Sequence, residues 1–131
     1  MKDDSIQQVP NCIIPRPEFT YLNASDVGRC IGKLYLGTKK SDKKNRPKLL
    51  ASFIHLLSYI KDWESEYSNR YIAACCDLRF TSQVSFYKKK HDIFWSTNPR
   101  YRIRIQLAIE SMIKIEQRKH KRFTNKEHGE D

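Results

Sequence analysis

Two stretches decide the fold: LRFTSQVSFY at residues 78–87 and RYRIRIQLAI at residues 100–109. Both alternate. In the first, Leu78, Phe80, Val84 and Phe86 fall on one side of an extended chain, with Ser82 the one lapse. Arg79, Thr81, Gln83, Ser85 and Tyr87 fall on the other. In the second, Tyr101, Ile103, Ile105, Leu107 and Ile109 alternate with Arg100, Arg102, Arg104, Gln106 and Ala108. A period of two marks a half-buried strand, and antiparallel sheets often bury one face and wet the other. A helical reading competes over the second stretch. Asn98 can cap a helix with Pro99 in its first turn, and Ile105, Ile109, Met112, Ile113 and Glu116 also fit helical spacing. Joining the two readings gives a strand to about Ile105 and a helix from there to about Lys121.

Working outward, Leu49, Leu50, Phe53, Leu56, Leu57, Ile60 and Trp63 form one wide apolar stripe, which predicts a long amphipathic helix over about 46–67. Asn45 is its cap and Pro47 suits its first turn. The apolar run Tyr71 to Cys76 reads as a buried strand, Lys88 to Asp92 as a turn, and Phe19 to Leu22 as a short strand. Val27, Cys30, Ile31 and Leu34 recur at helical spacing, with Asn23 or Ser25 as cap. Gly28 and Gly32 weaken that helix, or allow a close backbone approach. Ile13 to Pro17 is extended, because each proline disfavours helix in the residue before it. The expected fold class is α+β: a small antiparallel sheet packed against the 46–67 helix, with a C-terminal helix. The expected organisation is a flexible segment 1–12, a single domain 13–122 with a basic loop 37–48, and a flexible tail 123–131.

The 131 residues carry a formal net charge of +10, unevenly spread. Residues 1–36 balance four basic against four acidic groups, and residues 49–87 carry three against four. The excess sits in residues 37–48, with six basic and one acidic, and in residues 88–131, with twelve and six. Gathering like charges costs self-repulsion, which a phosphate-rich partner offsets.

No stretch has the roughly 18 apolar residues of a membrane span, and the polar start Met1-Lys2-Asp3-Asp4-Ser5 has no secretory pattern. The expectation is an intracellular protein, in cytoplasm or nucleus, with Cys12, Cys30, Cys75 and Cys76 as free thiols. Cys75 and Cys76 lie in an apolar run, which suits buried, inert thiols. No CxxC pair occurs, and His55, His91, His120 and His128 complete no zinc spacing. Phosphate-binding, dinucleotide, serine-hydrolase and zinc-protease motifs are missing, so neither catalysis, cofactor nor metal is expected.

If 78–87 and 100–105 share a sheet, its open face gathers Arg79, Arg100, Arg102 and Arg104 with Tyr87. Guanidinium groups grip phosphate in bidentate fashion, and a tyrosine stacks on bases. Lys88, Lys89 and Lys90, the loop lysines Lys39, Lys40, Lys43 and Lys44, and Lys119, Lys121 and Arg122 extend the basic footprint. The expected function is non-enzymatic nucleic-acid binding, with RNA or single strands favoured because no base-reading recognition helix is evident. The rival expectations are a small matrix-like or accessory viral protein on an anionic membrane surface and a binder of an acidic protein; either is compatible with a homo-oligomer.

Overall fold

The computed structural model describes residues 17–129, and this part of the chain is all-α. Six helices follow in order: α1 (Ala24–Gly32), α2 (Arg46–Leu57), α3 (Trp63–Glu66), α4 (Asn69–Cys75), α5 (Ser82–Thr97) and α6 (Pro99–Gly129), with a 3-10 turn at Lys33–Tyr35 after α1. Among the described residues no strand forms. A lone parallel bridge joins Phe19 to Ile60. The sheet expected over 78–87 and 100–105 is therefore replaced by α5 and α6. The expected turn at Lys88–Asp92 lies inside α5, and the expected strand at Tyr71–Cys76 is α4 with the residue that ends it.

The helical reading wins at residue 98 for a local reason. The Asn98 Oδ1 accepts the Tyr101 N–H at 3.0 Å, and Pro99, which lacks an N–H at a position where that group would have no helical partner, opens α6. The buried residues of α6 then recur as Tyr101, Ile105, Ala108 and Met112, the spacing of one helical face. Ile103 and Leu107, which completed the alternation, stand 53% and 42% exposed. At α5 the Gln83 Oε1 accepts the N–H groups of Arg79 and Phe80, both at 3.0 Å, and so caps the chain as it enters the helix. Val84 is buried there, whereas Phe80 and Phe86 are 60% and 50% exposed.

The expected 46–67 helix is broken in two. Its apolar stripe continues through Ile60 and Trp63, but the backbone leaves the helix after Leu57, and Asp62 takes a left-handed φ of 59°. The break lets Phe19 dock: its N–H donates to the Tyr59 carbonyl at 2.9 Å, and its carbonyl accepts from Lys61 at 2.8 Å. Phe19, Tyr59 and Ile60 are all buried as a result. The expected strand at Phe19–Leu22 reduces to this one bridge.

The first helix forms as expected. Asn23 and Asp26 make a reciprocal capping box, each side chain accepting the other's N–H at 3.0 Å. Gly28 and Gly32 are not needed for close approach: a Cβ at Gly28 would stand 3.8 Å from the Phe53 ring, and one at Gly32 would meet nothing. The core lies between α1, α2, α5 and α6, with α2 against α5 and α1 against α6 the most extensive contacts. The segment expected to be a tail is helical as far as Gly129, and the Phe123 ring stacks on Tyr21 at 4.9 Å. The extended reading at Ile13–Pro17, apart from Pro17, and the flexible segment 1–12 lie outside the described residues.

Candidate functional site

A helix turns 100° per residue, so 18 residues make five whole turns. Arg100 and Arg118 are 18 apart, and so are Arg104 and Arg122. These four arginines therefore lie along one edge of α6, about 40° wide, with Lys114 at its margin. Arg100, Lys114, Arg118 and Arg122 are exposed, and Arg104 is half-buried. From Arg100 to Arg118 the edge runs about 27 Å. Glu110 faces 80–120° away from it by the same count (about). Glu116 faces inward, where its carboxylate accepts the N–H groups of Thr20, Tyr21 and Leu22 at 2.7–3.1 Å.

Further cations lie near this edge. The neighbouring α1 is antiparallel to α6: Lys119 bonds Asp26 at the start of α1, and Arg104 lies 4.3 Å over the Tyr35 ring just past its end. Arg29 on α1, Lys33 in the 3-10 turn after it and Arg118 on α6 all act on the buried Cys30 thiol. Burial pushes that thiol's pKa up, and these three cations oppose the rise. At the other end of α6, Lys48 in the first turn of α2 is pushed below the usual lysine range. Burial contributes most; the like charges of Lys44, Arg104 and Arg100 add to it, and Asp42 opposes it. Lys44 and Lys48 thus lie near the Arg100–Arg104 end of the α6 edge, and Arg29, itself paired with Asp26, and Lys33 lie near Arg118.

Asp26, 1% exposed, anchors the seam between α1 and α6. Burial favours its neutral form, but the bond from Lys119, the Asn23 N–H and the charges of Lys119 and Arg29 together hold its carboxyl below the usual range. Lys119 also reaches the Tyr21 carbonyl, at 3.4 Å. It is a structural cation here, not a member of an open face.

The remaining expected site residues scatter. The open sheet face does not exist, so Arg79, Arg100, Arg102 and Arg104 do not converge as a group of four. Arg102 points about 160° away from Arg100 and Arg104 and donates to the Trp95 carbonyl at 2.5 Å. Arg79 sits before α5, its guanidinium 5.9 Å from the Phe80 ring centre. Tyr87 is half-buried against the core and edge-on to Phe86. Lys88 lies over Trp63, and Lys90 lies over Phe86 and Phe94. Lys40 pairs with Asp77. Lys39, Lys43, Lys89 and Lys121 are exposed without joining the arginine edge. Lys44, Arg100, Arg104 and Arg122 stay in the site. Sequence reasoning missed Arg29, Lys33, Lys48, Lys114 and Arg118 as site residues. The 18-residue repeat of the arginines was the signal that could have found Arg118.

Two clefts complete the surface. One of about 280 Å³ lies beside Gly28, Gly32, Phe53 and Cys76, and the Arg46 guanidinium at its wall donates to the Cys76 carbonyl at 2.9 Å. Cys76 is buried and its pKa is pushed up to about 12, chiefly by burial. Cys75 beside it is exposed, contrary to the expectation of two buried thiols. The other cleft, about 410 Å³, lies between α2 and α5 and is lined by His55, Ser58, Trp63, Lys88, His91 and Asp92, among others. The His55 and His91 rings stack at 3.6 Å, and His91 Nδ1 is hydrogen-bonded to the Tyr101 hydroxyl at 2.8 Å. Among the described residues no group of three or more His, Cys, Asp or Glu is placed to hold a metal ion, and no helix is long and apolar enough to cross a membrane. Comparison with protein-family models, with curated proteins and with solved structures finds no match.

Proposed function

We propose that this protein binds nucleic acid through its backbone phosphates, without catalysis, along the ridge of cations on α6. The observation that carries this reading is the five-turn repeat of arginines, which aligns Arg100, Arg104, Arg118 and Arg122 on one edge while the α6 carboxylates Glu110 and Glu116 face elsewhere. Gathering like charges costs self-repulsion in the free protein, and each phosphate that engages them relieves it. The stacked Arg104 is well prepared for this task. Its guanidinium carbon lies 4.3 Å over the Tyr35 ring, which restricts its motion.

The test is binding of a labelled generic oligonucleotide by the whole chain and by the double variant Arg104→Glu/Arg118→Glu, with anionic phosphatidylserine vesicles assayed beside it. The expected result is a loss of about tenfold or more in oligonucleotide affinity, because each reversal replaces a phosphate contact with a repulsion. Equal affinities would overturn the reading. Sedimentation with vesicles but no oligonucleotide binding would overturn it in favour of a membrane surface.

A further inference from the structure

Resting on that reading, we infer that the nucleic acid on the ridge is a single strand, and that one of its bases stacks on Phe123. Phe123 is 54% exposed, and its ring is stacked on Tyr21 with 4.9 Å between centroids and 25° between planes. Tyr21 thus covers one face of the Phe123 ring, and the stack ends in a ring that solvent still reaches. Tyr21 is held firmly beneath it. Its N–H donates to Glu116 at 2.9 Å, the N–H groups of Thr20 and Leu22 donate to the same carboxylate, and its carbonyl accepts from Lys119 at 3.4 Å. The order that a stacking base needs is already built into the folded protein, which lowers the cost of binding.

This platform stands at the end of the arginine edge. Phe123 follows Arg122 directly in α6, about 100° round the helix from it. Exposed Lys121 and His120, whose ring lies 5.5 Å from Tyr21, belong to the same turn. A strand with a phosphate on Arg122 brings a base beside this ring. Single-strand binders combine such a basic track with exposed rings, because every base has a face to stack. A duplex keeps those faces inside its own stack and gains nothing from Phe123. The other exposed rings are differently placed. Arg79 and Lys90 lie over the Phe80 and Phe86 rings at 5.9 Å and 5.5 Å, and Phe86 meets Tyr87 edge-on. Tyr87, on which the expectation of base stacking rested, packs against the core. Tyr71, 45% exposed, is stacked on Tyr67 at 5.3 Å much as Phe123 is on Tyr21. There, however, Arg70 is outnumbered by the exposed Glu64 and Glu66 of α3, which repel phosphate. Tyr71 therefore matches Phe123 in ring geometry and differs from it in charge.

The experiment titrates the whole chain with an unstructured single-stranded DNA, an abasic strand and a duplex, all of the same phosphate number. The same titrations use Phe123→Leu, Phe123→Trp, Tyr71→Leu and Arg104→Glu/Arg118→Glu. Phe123→Leu keeps an apolar side chain on Tyr21 and removes the ring. The expected result is single-strand binding about fivefold or more tighter than binding of the abasic strand or the duplex. Phe123→Leu should remove that advantage, leave the other two probes unchanged and leave the salt slope of single-strand binding unchanged, because a ring releases no counterions. Phe123→Trp should restore the advantage, and Tyr71→Leu should not disturb it. Duplex or abasic binding as tight as single-strand binding overturns the inference. A Phe123→Leu variant that binds the single strand as the native chain does, while Arg104→Glu/Arg118→Glu weakens it, overturns the stacking site and leaves the ridge in place. Equal losses on all three probes in Phe123→Leu make the ring structural and overturn its role with bases. Equal losses in Phe123→Leu and Tyr71→Leu overturn the assignment beside the arginine edge. Binding of every probe that survives Arg104→Glu/Arg118→Glu overturns the ridge itself.

Discussion

Asp26 is the residue on which most of the seam depends. It caps α1, pairs with Arg29 and accepts a bond from Lys119 while almost fully buried. Its folded pKa lies below its unfolded value, so it contributes stability at pH values above the unfolded pKa. That contribution is lost as pH falls through the folded value. Acid unfolding of the native chain should therefore show a limb below about pH 4 that Asp26→Asn abolishes. At neutral pH the same variant should cost about 3 kcal/mol in urea unfolding, because it strands Lys119 beside a neutral partner. Tyr35 makes the opposite case. Its hydroxyl is buried with no hydrogen-bond partner among the described residues, while its ring carries Arg104. Tyr35→Phe keeps the ring and removes the orphaned group, so it should raise stability by about 1 kcal/mol and leave nucleic-acid affinity unchanged. Lys48, held below the usual lysine range by burial and by Lys44, Arg104 and Arg100, should show a trade-off. Lys48→Gln should leave the free protein at least as stable in thermal unfolding and weaken its binding to an oligonucleotide.

At the scale of elements, α6 shows how far the sequence could be read and where it misled. Over residues 100–109 the apolar pattern satisfies a period of two, and over 101–112 it satisfies the spacing of a helix equally well. What separates the readings is Ile103 and Leu107, two apolar residues that the helix leaves in solvent. A stretch of ten residues cannot reveal that they are surface residues. The cap at Asn98 and Pro99 and the continuation of one face through Met112 supply the missing weight. The same fault recurs at 78–87, where exposed Phe80 and Phe86 imitate the buried side of a strand. At α2 the apolar stripe was read correctly, but its unbroken spacing hid a turn made for a long-range partner, Phe19, which no local pattern could disclose. Only α1 was fully legible, because its capping box and apolar spacing agree locally. The cap at α6 can be tested: Asn98→Ala should destabilise the protein by about 1 kcal/mol in thermal or urea unfolding, whereas a strand beginning at Arg100 would be indifferent to it.

For the molecule as a whole, the consequence of replacing the sheet with helices is a change in which cations act together. Alternate arginines share a face on a strand, whereas on a helix the sharing falls to residues four and eighteen apart. Part of the candidate site was thus visible in the charge blocks, since Lys44, Arg100, Arg104 and Arg122 survive. Arg29 and Lys33 stayed hidden because residues 1–36 are electrically neutral overall, and only folding brings them near Arg118 of α6, around Cys30. Alignment of Arg100, Arg104, Arg118 and Arg122 along one edge of α6 carries the binding proposal. The measurement that tests it most directly is the slope of log affinity against log salt for an oligonucleotide, taken for the native chain and for two triple variants. Lys48→Ala/Arg104→Ala/Arg118→Ala removes two ridge cations and the lysine near them, and Arg79→Ala/Lys89→Ala/Lys90→Ala removes the same charge elsewhere. The ridge predicts that the first variant flattens the slope by about two to three units and the second leaves it nearly unchanged. Equal flattening by both variants would show that the positive charge acts diffusely and that no ridge exists.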